Sequence, residues 1–459
     1  MTLIKSISGI RGTIGNKQGD NLTPIDIVKF TAAFGEFMKI KQPGKVLTFV
    51  VGRDARISGK MVENIVVSTL SGMGINVINT GLSTTPTVEM AVMNMNADGG
   101  IIITASHNPK QWNALKLLNQ KGEFISAMDG EEVLKLSENP EICFSEVDDL
   151  GTITENSDTI NQHISDIIGL KLVDKSITKT HGFNIVIDAV NSTGGLAIPP
   201  LLKELGVNNI TELYCEPTGN FPHNPEPLAE NLTEICNVVK NEKNAIGIVV
   251  DPDVDRLALV MENGELFGEE YTLVAVADYV LRETPGNTVS NLSSTKALRD
   301  VTEEAGCVYN ASAVGEVNVV TKMKETNAVI GGEGNGGVIY PELHYGRDSL
   351  VGIALILTYL AKRNISLIDL RKEYTDYRVS KNKIELLKSM DVESIYSKVK
   401  SYFHEFTILT IDGVKVEFPD GWVHLRTSNT EPIMRIYAES TSDKKAQDYA
   451  DKVINLINS

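Results

Sequence analysis

Short apolar runs rich in valine and isoleucine recur along the chain, each followed by a polar or glycine-rich loop and then by a stretch of helical character. Leu47-Thr48-Phe49-Val50-Val51 runs into Gly52-Arg53-Asp54, and Ile75-Asn76-Val77-Ile78 into Asn79-Thr80-Gly81. Gly100-Ile101-Ile102-Ile103 runs into Thr104-Ala105-Ser106-His107-Asn108-Pro109. Continuously apolar runs mark strands that are buried on both faces of a sheet. The pattern therefore predicts strands that feed special loops at their C-terminal ends.

The rhythm repeats. Phe183–Ile187 precedes Asp188-Ala189-Val190-Asn191, and Ala245–Val250 precedes Asp251-Pro252-Asp253-Val254-Asp255-Arg256. A third round holds Thr288–Leu292 before Ser293-Ser294-Thr295, then Ala328–Ile330 before Gly331-Gly332-Glu333-Gly334-Asn335-Gly336-Gly337. The fold class expected is α/β: three similar α/β domains with mixed sheets, plus a C-terminal α+β domain. The acidic stretch 144–160 suits a boundary, and the charged stretch Lys372–Lys383 reads as a linker after the helical Leu350–Lys362. The expected domains are 1–152, 153–254, 255–371 and 372–459. The last has strands near 406–411, 414–418 and 433–438 and a terminal helix from Lys444.

Composition narrows the function classes. The 459 residues are 42% hydrophobic and 22% charged, as in a multidomain globular enzyme. A net charge of −17 argues against a general nucleic-acid or anionic-membrane binder, which needs a basic face. No stretch approaches the ~18 apolar residues that cross a bilayer. Met1–Ser6 lacks the charged head and apolar run of a signal peptide, so a cytoplasmic location is expected. Cys143, Cys215, Cys236 and Cys307 are far apart and read as buried or incidental thiols.

Four loops carry candidate chemistry. Ser106 is expected to be exposed at a loop tip, with Lys116 as an acid/base or phosphate partner; a helix-capping serine is the plainer alternative. Asp251, Asp253 and Asp255 sit at alternate positions and can converge on a hard cation such as Mg²⁺. An EF-hand is the rival there, but Arg256 stands where its turn needs glycine, and strand-like runs flank the loop. The glycines around Glu333 and Asn335 suit close backbone approach to a ligand. Arg426-Thr427-Ser428-Asn429-Thr430-Glu431-Pro432, with Arg435, suits a phosphate dianion, or forms an ordinary turn. Together the loops offer a serine, a cation site, a hydroxyl reader and a phosphate clamp, the parts that phosphoryl transfer needs.

With those motifs in order, the chain resembles the α-D-phosphohexomutase superfamily over its whole length. Thr104-Ala105-Ser106-His107-Asn108-Pro109, Asp251-Pro252-Asp253-x-Asp255-Arg256 and Arg426-x-Ser428-Asn429-Thr430-Glu431-Pro432 carry the resemblance. Ser8-Gly9-Ile10-Arg11-Gly12, Gly52–Arg56 and Pro225-Glu226-Pro227 also fit. The resemblance implies four domains around a central cleft and a phosphate carried on Ser106. It implies Mg²⁺ held by Asp251, Asp253, Asp255 and the Ser106 phosphate. Glu333, with Asn335 and Gly315, would contact the sugar, and Arg426, Ser428, Asn429 and Thr430 would hold the distal phosphate. Arg11, Lys116, Arg256 and His107 would complete the active site. Many relatives carry G-E-x-S-G-H in the sugar loop; here the serine and histidine positions are Asn335 and Gly337, which moves acid/base duty toward Lys116 or His107. Ala114 also replaces a usual glycine. The G-E-G-N-G-G form and Val314–Asn318 resemble the branch common in archaeal-type mutases.

The function this implies interconverts hexose 1- and 6-phosphates through phospho-Ser106, with a hexose 1,6-bisphosphate as intermediate and priming activator. Glucosamine phosphate is the first expected substrate, and glucose or mannose phosphate the second. A metal-dependent sugar phosphatase and a non-catalytic sugar-phosphate sensor are the rivals from other classes. The expected partners are small hexose phosphates, with no nucleic acid or membrane, in a monomer or homodimer.

Overall fold

The computed structural model describes residues 2–6, 9–138, 142–386, 390–428 and 433–458. Four sheets follow one another along the chain. In the first, Gly99–Ile103, Thr48–Arg53, Asn76–Leu82 and Ile153–Glu155 run parallel, and Trp112–Leu118 returns antiparallel beside Gly99–Ile103. Gly9–Thr13 and Ile4–Ser6 extend the antiparallel edge. In the second sheet, Asn209–Leu213, Asn184–Asp188 and Ala245–Val250 are parallel, and Leu257–Val260 returns antiparallel. In the third, Tyr309–Ser312, Thr288–Asn291 and Ile330–Glu333 are parallel, and Gly337–Ile339 returns antiparallel. Each of these sheets therefore ends its parallel run in a hairpin. The fourth sheet is wholly antiparallel, in the order Arg378–Glu385, Ile433–Ser440, Gly421–Thr427, Val414–Phe418, Thr407–Leu409.

Some expectations change. The second sheet continues past the expected boundary at Val254, because Leu257–Val260 pairs with Ala245–Val250. Ile153–Glu155 belongs to the first sheet, beyond the expected end at residue 152. The stretch expected as a linker, Lys372–Lys383, contains the start of the edge strand Arg378–Glu385. The cysteines are not buried: Cys143 is exposed and the other three are half-buried, with no disulfide. Among the described residues, no helix is long and apolar enough to cross a membrane.

The apolar core is not divided evenly. The first unit has its own core around Phe30, Phe34, Phe49 and Leu70. The second and third share one continuous core that runs from Ile164 to Tyr377. At its centre lies the helix Ser349–Arg363, buried along most of its length. The fourth unit has a separate core around Val416, Val423, Leu425 and Ile436. It meets the third through polar contacts: Lys415 Nζ donates to the Leu292 carbonyl at 2.8 Å, and Glu439 Oε1 accepts from the Lys296 amide at 2.8 Å.

A buried polar junction ties the first three units. Thr84 Oγ1 donates to Thr87 Oγ1 at 2.7 Å, and Thr87 Oγ1 lies 3.0 Å from His163 Nδ1. The Thr87 proton therefore points at Nδ1, and His163 carries its own proton on Nε2, 3.0 Å from Asp348 Oδ2. A protonated Nε2 has no lone pair for a metal, so this His–Asp–His cluster is a hydrogen-bonded hub. Asp348 Oδ1 caps the helix through Leu350 and Val351. His344 completes the hub, with Nε2 3.4 Å from Asp348 Oδ2 and Nδ1 3.4 Å from Glu89 Oε2. Burial pulls the His344 pKa down, but the Asp348 and Glu89 carboxyls beside it outweigh this and raise it to about 10. Burial raises the Glu89 carboxyl to about 8.

Both groups hold their protons more tightly folded than unfolded. The His344 contribution is complete below its unfolded pKa, ~6.5, and is lost as pH rises through about 10; Glu89 disfavours the folded state as pH rises through about 8. Thermal stability should therefore fall from about pH 4.5, where Glu89 would ionise in the unfolded chain, to about pH 10, most steeply between about 6.5 and 8 where both groups contribute. Replacing both residues by glutamine should flatten that decline in a melting series. An unchanged slope in the double variant would rule out this linkage.

Candidate active site

Ser106 opens the hairpin between Gly99–Ile103 and Trp112–Leu118. Its backbone is left-handed, with φ +50°, a conformation that costs a non-glycine residue about 1–2 kcal/mol. Arg56, fully buried, holds the loop in that shape. Its Nη2 donates to the carbonyls of Ser106 and Asn108, the latter at 2.6 Å, and its Nη1 reaches those of Pro109 and Trp112 at 2.8 and 3.2 Å. Asp54 Oδ2 balances the charge, accepting from Arg56 Nε at 3.0 Å and from Thr104 Oγ1 at 2.7 Å. Thr104 Oγ1 in turn accepts the Ser106 amide at 2.9 Å. Contrary to expectation, Ser106 is buried, at 7% exposure. The second unit covers it: Ser106 Oγ donates to Asp251 Oδ2 at 2.7 Å.

The hairpin Asp251–Arg256 is the second unit's counterpart. Val254, with φ +65°, turns the chain so that carboxylate oxygens of Asp251, Asp253 and Asp255 lie within 4.8 Å of one another, all buried. Burial, with Asp255 and Asp253 beside it, pushes the Asp251 carboxyl well up. Burial also works against charge on Asp253, but Lys116 overrides it and holds that carboxyl below the usual range. Lys116 Nζ donates to Asp253 Oδ2 at 2.8 Å and lies 3.5 Å from Asp255 Oδ2. Thr85 Oγ1 also donates to Asp253 Oδ2, at 2.7 Å. Asp253 Oδ1 and Asp255 Oδ1 are buried without a hydrogen-bond partner among the described residues. Buried carboxylate oxygens that lack a donor are what a hard divalent cation takes up, so the donor set fits Mg²⁺.

Cations surround this cluster. Arg11 Nη1 lies 3.5 Å from Asn108 Oδ1, and Arg256 Nη1 is 3.8 Å from Glu226 Oε1. Arg11 Nε and Arg256 Nε are buried donors with no hydrogen-bond partner among the described residues, as an anion-binding site requires. His107 Nδ1 is 3.4 Å from Ser106 Oγ. Burial, then Arg256 and Arg11, drive the His107 pKa down to about 2, so the ring is neutral near pH 7.

The third hairpin carries Glu333 and Asn335. Glu333 is buried; its Oε1 accepts from Asn291 Nδ2 at 2.9 Å and from the Gly315 amide at 3.1 Å. The Gly315 N–H is thus spent on Glu333. Asn335 Oδ1 accepts from the Gly337 amide at 3.3 Å. Arg347 joins this loop to the metal loop: Nη1 is 2.9 Å from Glu333 Oε2, and Nη2 is 2.6 Å from Asp255 Oδ2. Sequence reasoning did not single out Arg347. The available signal was a charged Gly346-Arg347-Asp348 placed directly before an apolar helix.

Arg426 lies near the end of the strand Gly421–Thr427, so the first two residues of the expected loop are strand. Its Nε is 4.0 Å from Asp412 Oδ2 and has no hydrogen-bond partner among the described residues. Asp412 Oδ2 also accepts from the Val314 amide at 3.1 Å, which brings Arg426 beside the Gly315 turn. The Ser428 amide donates to the Ile433 carbonyl at 2.9 Å. Asn429 and Thr430 lie outside the described residues. The structure therefore gathers Arg11, Ser106, His107, Lys116, the three aspartates and Arg256 in one place. Arg347 links Glu333 to that group, and Asp412 links Arg426 to Gly315.

Four family models match in succession. They describe the α/β/α domains I, II and III of phosphoglucomutase/phosphomannomutase at residues 3–141, 161–264 and 268–377, and its C-terminal domain at 378–456. A phosphoglucomutase/phosphomannomutase of Thermococcus kodakarensis is 35% identical over 98% of this chain and 97% of its own. A probable phosphoglucosamine mutase of Methanopyrus kandleri is 30% identical over 98% and 96%. The crystal structure of a phosphoglucomutase/phosphomannomutase family protein from Burkholderia thailandensis superposes with a TM-score of 0.86 at 26% identity, covering 100% of this chain and 98% of that one. With all four domains present and in order, the chain belongs to the phosphoglucomutase/phosphomannomutase family of the α-D-phosphohexomutase superfamily and is an isomerase of the phosphohexomutase class.

Proposed function

We propose that the protein interconverts hexose 1- and 6-phosphates by a relay through phospho-Ser106, with glucosamine 6-phosphate and glucosamine 1-phosphate as its pair. The observation that carries the relay is Ser106 Oγ placed 2.7 Å from Asp251 Oδ2, at the edge of the three-aspartate cluster. Asp251, Asp253, Asp255 and the serine phosphate would hold Mg²⁺, which when bound neutralises charge on the transferring group.

In the first half-reaction the bond between phosphorus and Ser106 Oγ breaks, and a bond to the sugar hydroxyl forms. The hydroxyl loses its proton and Oγ regains one. In the second half-reaction the other phosphate of the bisphosphate returns to Oγ with the reverse proton movements. Burial works against charge on Lys116, but Asp253 and Asp255 override it and keep the ammonium, which thus carries a proton that it can give to the leaving oxygen. His107, held neutral, is suited to accept a hydrogen bond. Arg11 and Arg256 would bind the reacting phosphate. Arg426, Ser428, Asn429 and Thr430 would hold the other, and Glu333, Asn335 and Gly315 would line the sugar. A clamp separate from the transfer site lets either end of the sugar be held while its opposite end reacts. A hexose 1,6-bisphosphate would prime the serine. The glucosamine reading is supported by relatives such as the Methanopyrus kandleri protein; glucose and mannose phosphates are the alternative.

Ser106→Ala should lose isomerisation altogether, together with incorporation of labelled phosphate from a labelled bisphosphate. Normal turnover in that variant would refute the relay, and release of inorganic phosphate without isomer would select a phosphatase. A panel of glucosamine, N-acetylglucosamine, glucose and mannose phosphates should give the highest kcat/KM for glucosamine phosphate. A glucose or mannose phosphate ahead of it would transfer the assignment. Chelation with EDTA should stop turnover, and added Mg²⁺ should restore it.

A further inference from the structure

One guanidinium meets three carboxylates from three separate segments. Besides Asp255 Oδ2 and Glu333 Oε2, Arg347 reaches Glu316 Oε2 through Nε at 3.0 Å, and its own amide donates to Glu316 Oε1 at 3.2 Å. Arg347, Glu316, Glu333 and Asp255 are all buried. Space for the side chain exists because position 337 is glycine. A Cβ there would stand 2.4 Å from Arg347 Cδ and 3.1 Å from Cγ. These atoms cannot swing aside, since the far end is fixed at three points. Where G-E-x-S-G-H loops have a histidine, this chain has a glycine and fills the space with arginine.

We propose that Arg347 is a positioning residue: it fixes the metal-loop carboxylate Asp255 relative to Glu333 and Glu316 of the sugar side, and it requires glycine at 337. A guanidinium keeps its proton, so the role is geometric rather than acid/base. By engaging Asp255 Oδ2 it leaves Oδ1, which has no hydrogen-bond partner among the described residues, free to serve a cation. Its planar fork serves three acceptors at fixed angles, which an ammonium cannot match.

The proposal rests on the metal and sugar roles given above, and its test separates the two. Mn²⁺ binding is measured by electron paramagnetic resonance on the whole protein without sugar. Removing a positive charge beside Asp255 would by itself tighten cation binding; loss of orientation would loosen it. Arg347→Ala and Arg347→Lys should each weaken Mn²⁺ binding by about tenfold or more, as loss of a partner that orients a ligand does. Unchanged affinity in Arg347→Lys, or tighter binding in Arg347→Ala, would mean charge balance alone and overturn the proposal. Gly337→Ala should weaken binding in the natural background and add nothing in Arg347→Ala; additive effects would overturn the shared-space argument. Should Arg347→Ala fail to fold, Arg347→Lys alone and with Gly337→Ala carries the same test. If the natural protein binds no Mn²⁺ that Asp253→Asn abolishes, the metal reading itself fails, and the proposal with it.

Discussion

Three carboxylates held within 4.8 Å of one another, away from water, set the terms for everything around them. Desolvating one such group is costly, and mutual repulsion adds to the cost. The fold answers by bringing positive charge from other units. Lys116 comes from the first sheet and Arg347 from the entry to a helix of the third unit. The site can form only where the units meet, because no single unit carries both the acids and enough bases. The same compensation ties the acids to the segments around them. Each carboxylate has at least one oxygen fixed by a partner from another segment.

The topology explains why these loops meet at all. In the first three units the last parallel strand turns back into an antiparallel neighbour, and that one hairpin carries the chemistry. It holds Ser106 in the first, Asp251 to Arg256 in the second and Glu333 to Asn335 in the third. A repeated unit thus presents the same structural position three times, filled each time with a different tool. The fourth unit departs in topology but keeps the logic, since Arg426 also sits where one antiparallel strand leads toward the next.

Much of this is legible in the sequence, for physical reasons that differ by element. The strands at 48–53, 99–103 and 245–250 are apolar on both sides, so their residues announce burial directly. Asp251, Asp253 and Asp255 stand out because acids are rare beside such runs. Arg378–Glu385 is hidden because it is a polar, half-exposed edge strand, whose pairing comes from its neighbour rather than from its own side chains. Burial of Ser106 is hidden because the cover comes from a segment about 145 residues later in the chain. Arg347 is hidden for the same reason: its partners lie on loops that no local pattern connects. Local structure is written locally, and the groups that balance charge across units are not.

The division of the apolar interior has a consequence of its own. The second and third units cannot be pulled apart without exposing a common core, whereas the fourth keeps its core to itself and touches the third through hydrogen bonds and ion pairs such as Arg299–Glu417. Water can replace contacts of that kind at little cost, but it cannot replace a shared oily interior. The chain is therefore built as a welded pair of units, with the first and the fourth each keeping a core of its own. Selection can exchange or retune the fourth unit, which carries Arg426, while leaving untouched the interior that the second and third units share.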